Sequence, residues 1–79
     1  MSSLDKINPS YDDIVEDVTN ETIRYINSTA ELHRLVKHES IAGIARTCYA
    51  WAEQNNNEFG PLFQTELDMV NWTKVKARI

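Results

Sequence analysis

Eight residues, Tyr11, Val15, Val18, Thr22, Tyr25, Thr29, Leu32 and Val36, follow one another in alternating steps of four and three, with no glycine or proline between them. That spacing holds all eight on one face of a helix, because residues three and four apart lie above one another along a helical surface. Asp12, Asp13, Glu16, Asp17, Glu21 and Arg24 fall on the other sides. The pattern predicts a long amphipathic helix over residues 11–37. Its start is marked by Asn8-Pro9-Ser10, where proline pushes Asn8 out of the helical region and Ser10 can cap the turn that follows. Ser28-Thr29-Ala30-Glu31 is itself a capping-box pattern, so a kink at Asn27-Ser28 is the alternative to one continuous helix.

Lys37 and His38 suit a helix carboxyl end, and Ser40 can cap a second helix over residues 41–55. The inward stripe of that helix is Ile41, Ile44, Ala45, Cys48, Trp51 and Ala52. Asn55-Asn56-Asn57 ends it, since asparagine competes for backbone hydrogen bonds and tolerates left-handed geometry. Gly60-Pro61 completes the break, and a third helix over 61–78 is expected to start with proline in its first turn. This last segment carries two apolar stripes, Leu62, Met69 and Trp72 on one and Phe63, Leu67 and Val70 on the other. One stripe can serve the core and the other a partner, or both can belong to a single wide core face. The expected architecture is all-α: a flexible lead over 1–9 and one small helical domain over 10–79, completing its core by self-association or by docking.

Composition bounds what such a domain can do. A chain of 79 residues buries only about 60% of the surface that its unfolded form exposes, which makes a homodimer or a docked complex a natural way to finish the core. The formal charge of −4 is uneven: residues 1–39 carry eight acids against four bases, and residues 40–79 carry four of each. Binding to a phosphate backbone by counterion release needs clustered Lys and Arg, so nucleic acid is disfavoured as a partner. Five acids between Asp12 and Glu21 make an acidic mimic of DNA a further reading, beside that of an ordinary solvated face. Cys48 is the single cysteine, and no basic segment followed by an apolar run opens the chain. With no stretch near the length of a membrane span, the expectation is a cytoplasmic protein without an internal disulfide.

Candidate chemistry is sparse. His38-Glu39 opens like a zinc-protease motif, but Ala42 stands where the second histidine is needed. The separations of His33, His38, Glu39 and Cys48 match no compact ligand set. Cys48 lies on the inward stripe, where a structural thiol is expected, and Gly43 and Gly60 are the only glycines, too few for a phosphate loop. No enzyme activity and no cofactor are expected. The stretch from Glu39 to Trp51 resembles the first helix and turn of a helix-turn-helix, which makes a DNA-binding regulator the alternative function. Its continuation, Tyr49-Ala50-Trp51-Ala52, is too apolar to read a groove.

The leading expectation is a small acidic regulatory or accessory protein that works by binding another protein, as an inhibitor or as a helical homodimer. Tyr11, Tyr25, Phe63, Met69 and Trp72 are the candidate contacts, because aromatic and methionine side chains supply much of the energy at interface centres. In its short length, asparagine richness and lack of a catalytic set, the chain resembles accessory proteins encoded by bacteriophages, which often inhibit host factors or time lysis. No specific family motif accompanies that resemblance.

Overall fold

The computed structural model describes residues 10–79; the flexible lead expected over 1–9 lies outside them. Helix α1 runs Tyr11–Ser28, and Ser10 caps it through Oγ, which accepts the Asp13 N–H at 3.2 Å. The helix does not continue to residue 37. Thr29 leaves helical geometry at φ −117°, ψ 95°, and a separate helix α2 follows over Ala30–Val36. The break falls one residue beyond the kink that the sequence offers as its alternative. Ser28 Oγ donates to the Tyr25 carbonyl at 3.1 Å, satisfying an acceptor that the missing next turn would leave open. With α2 freed from the axis of α1, Leu32 and Val36 become fully buried beside Ile26. Each such side chain contributes about 1.5–3 kcal/mol, well above the cost of one interrupted helical bond.

Helix α3 spans Ile41–Glu53, capped by Ser40 Oγ accepting the Gly43 N–H at 3.1 Å. Ile44, Cys48 and Ala52 of the expected stripe are buried; Ala45 and Trp51 are half-buried, and Ile41, at the rim, is 40% exposed. The asparagine run ends α3 as anticipated. Asn57 N–H donates to the Ala52 carbonyl at 2.8 Å, with Asn56 and Asn57 both left-handed at φ 63° and 64°. This is the geometry that closes helix ends at glycine or asparagine.

The expected third helix over 61–78 is replaced by three shorter elements. Strands β1 (Glu58–Phe59) and β2 (Leu62–Phe63) form a minimal antiparallel hairpin, with Glu58 opposite Phe63 and Phe59 opposite Leu62. Gly60 takes φ 63°, and Pro61 has its φ fixed negative by the ring, which together give the backbone combination of a type II′ turn. Opposed residues in a hairpin share a face, so Phe59 and Leu62 both enter the core while Glu58 and Phe63 face outward. A helix starting at Pro61 would place Phe63, Leu67 and Val70 together; the hairpin buries Phe59 instead, the largest fully enclosed side chain among the described residues. A 3₁₀ helix over Gln64–Met69 then buries Leu67, and α4 (Trp72–Arg78) is capped by Asn71 Oδ1, which accepts the Lys74 N–H at 3.2 Å.

Helix α4 lies alongside α1 and against α3. At its start the Asn71 N–H donates to Oγ1 of the buried Thr19 at 2.9 Å, and at its end Asn27 Nδ2 donates to the Arg78 carbonyl at 3.3 Å. The two helices therefore run in the same direction. One core joins all the elements, centred on Ile26, Leu32, Ile44, Phe59, Leu67 and Val75.

Candidate interaction surfaces

Two of the five candidate contact residues stand in solvent: Tyr11 is 65% exposed in the first turn of α1, and Phe63 is 61% exposed on β2. Tyr11 heads the long apolar stripe but stands clear of the core, while Val15, the next stripe residue, is half-buried beside Asn71 and Lys74. The buried face of α1 starts at Val18 and continues through Thr19, Thr22 and Ile26.

Tyr25 is engaged internally. Its ring meets Phe59 edge-on at 4.7 Å and 65°, and its hydroxyl accepts the Trp51 Nε1–H at 3.1 Å. Met69 and Trp72 are half-buried against the core, and Trp72 lies 6.5 Å from the Tyr49 ring. The residues of the last segment that pack inward are Leu62 from one expected stripe, Leu67 and Val70 from the other, and Val75, which neither stripe included.

Phe63 is held more firmly than its exposure suggests. Its N–H donates to Glu66 Oε1 at 2.9 Å, and the N–H of the next residue, Gln64, donates to the Asn57 carbonyl at 2.7 Å. Gln64 Nε2 in turn donates to the Tyr49 carbonyl at 2.9 Å. Asn57, Phe63, Gln64 and Thr65 line an open concavity of about 300 Å³. Asn57, Gln64 and Thr65 were not among the candidates from sequence. The left-handed asparagine pair was the available signal, since it bends the chain back towards β2.

The ionisable groups inside the fold are arranged for structure. Cys48 is fully buried, and burial pushes its thiol up to about 12, so it is a neutral, weak nucleophile at pH 7. Tyr49 is also raised to about 12, by burial first and then by donating its hydroxyl to Asp68 Oδ1. Among the described residues, no three of the His, Cys, Asp and Glu side chains come together as a metal site. The stretch read as the first helix and turn of a helix-turn-helix runs unbroken from Ile41 to Glu53, with no turn inside it. Its outward residues Ala42, Arg46, Ala50 and Glu53 offer a single cation beside a single anion. No helix among the described residues is long and apolar enough to cross a membrane.

Comparisons with protein-family models, with curated proteins and with solved structures find no match to this chain.

Proposed function

We propose that this chain is a non-enzymatic regulatory or accessory protein that acts by binding another protein, as an antagonist that occupies its partner's surface. The observation that supports this reading is Phe63, a large aromatic side chain 61% exposed on a backbone pinned from both sides. An anchor of this kind has little backbone freedom left to lose on docking, so the apolar area it buries is returned largely as affinity. The concavity beside it is lined by neutral side chains whose amides can meet a partner's backbone. Met69 and Trp72 contribute whatever the core leaves uncovered, and Tyr25 contributes by positioning the hairpin rather than by contact.

The test is capture of partners from a lysate of the native source by tagged protein, with and without nuclease, comparing wild type with Phe63→Ser and with Trp72→Ala. Circular dichroism establishes that each variant is folded. A protein retained by wild type and lost with Phe63→Ser supports the reading. Retention that survives Phe63→Ser, or that disappears on nuclease treatment, overturns it.

A further inference from the structure

Apart from Phe63, four large apolar side chains among the described residues are exposed, and they fall into two pairs. Tyr11 (65%) and Ile14 (37%) lie on the first turns of α1, while Leu35 (52%) and Ile41 (40%) flank the corner between α2 and α3. The first pair stands among Asp12, Asp13, Glu16 and Asp17, all exposed, with Lys74 of α4 across a shared groove from Asp12 and Glu16. The second pair brackets Lys37 and His38, with Arg34 one turn earlier, and Lys76 joins them by donating to the Glu39 carbonyl at 2.8 Å. Two acids also lie in this region: Glu31 on α2, and Glu39, whose side chain folds over Gly43 at the amino end of α3, where the helix dipole favours a negative charge.

The two patches lie apart along the length of α1. Helix α4 parallels α1 from Thr19 to Asn27, so Lys76 near its end, and the corner to which it bonds, sit abreast of the last turns of α1. At 1.5 Å per residue that is about 20 Å from Tyr11. No folding back within one chain brings these patches together.

We propose that the acidic apolar end of α1 docks on the α2–α3 corner of a second copy, head to tail. Pairing two acidic ends sets four carboxylates against four; pairing end with corner opposes unlike charge and covers apolar surface on both sides. Joined by one such contact at a time, the copies are heterologous: each added copy leaves one free end and one free corner, and the assembly grows with concentration, whereas reciprocal pairing across a two-fold axis would close it as a dimer. The surfaces differ from that of Phe63, and the proposal stands independently of the partner-binding reading.

Sedimentation equilibrium from micromolar to millimolar concentration tests it, at low and at high salt. Wild type is expected to show average mass that rises with concentration and falls with salt, since exposed charges at the contact are screened. Asp12→Lys/Asp17→Lys reverses the end, and Arg34→Glu/Lys37→Glu reverses the corner. Each variant alone is expected to associate more weakly by about tenfold or more, and an equimolar mixture, in which every end again meets an oppositely charged corner, to recover. Wild type that stays monomeric at millimolar concentration overturns the proposal, as does a mass that stops at the dimer or association indifferent to salt. The salt series on wild type decides the matter even if a variant fails to fold. Continued partner capture by a strictly monomeric protein would remove this proposal and leave the function proposed above intact.

Discussion

Gly60 is pressed against the ring of Tyr25: a β-carbon built on Gly60 would stand 2.7 Å from Cδ1 of the tyrosine. The contact joins the hairpin turn to the last turn of α1, and through Tyr25 it reaches Phe59 and Trp51. Gly60 answers two demands at once, a left-handed φ of 63° and the absence of a side chain where the ring passes. Gly60→Ala meets both penalties and is expected to cost about 2–4 kcal/mol, from backbone strain and overpacking together. Urea unfolding with an unchanged m-value is the measurement, and a loss below about 0.5 kcal/mol would show that the hairpin can move off the ring.

Tyr25→Phe keeps the edge-on contact with Phe59 but takes away the acceptor of the Trp51 indole N–H. The expected cost is about 1 kcal/mol, the usual net value of one hydrogen bond with its donor only partly shielded from water. Tryptophan fluorescence should change with it, reporting altered surroundings of Trp51. A variant as stable as wild type would mean that water replaces the hydroxyl without loss.

Thr19 is wholly buried, and its hydroxyl accepts the Asn71 N–H that leads into α4. Thr19→Val preserves shape and leaves that N–H unpaired, at an expected cost of about 1–3 kcal/mol. Thr19→Ser retains the hydroxyl at the price of a methyl group. Amide hydrogen exchange at Asn71 should accelerate in the valine variant and stay slow in the serine variant; equal rates in both would mean that the bond does not hold α4 in place.

The raised values of Cys48 and Tyr49 fix the sign of the alkaline response. Both groups are neutral when protonated, and folding favours that form. Their stabilising contribution is full below the ordinary values of 9.0 and 10.0 and is lost as pH rises towards about 12, because the unfolded chain releases these protons first. Stability should therefore decline between about pH 9 and 12, and Cys48→Ala and Tyr49→Phe should each shallow the slope. Alkylation of Cys48 at neutral pH should proceed only as fast as the protein opens. Rapid labelling under native conditions would contradict its burial.

The boundaries that proved legible in the sequence are those written in a few adjacent residues. Ser10 and Ser40 cap helices through bonds to amides three residues on, and the asparagine run closes α3 by a bond reaching back five residues. These depend on local geometry alone, so residue type and spacing predict them. The inward face of α3 was legible for the same reason, through Ile44, Cys48 and Ala52. Among the candidate contacts, the sequence identified the aromatics but not their setting. Tyr11 and Tyr25 share one helical stripe, yet one is in solvent and the other is enclosed by Phe59 and Trp51, which come from distant parts of the chain.

By itself the sequence determined a small, largely helical domain, an acidic first helix, the capped starts of two helices at Ser10 and Ser40 and the stop at the asparagines. The tertiary structure decided that the first helix breaks at Thr29 and that the segment after Gly60 turns into a hairpin and a 3₁₀ helix. In both places the local pattern also suits a continuing helix, so propensity leaves the outcome open. Enclosing Leu32 and Val36 in one case, and Phe59 and Leu62 in the other, removes more apolar surface from water than an unbroken helix can, and that gain exists only once the distant walls of the core are in place.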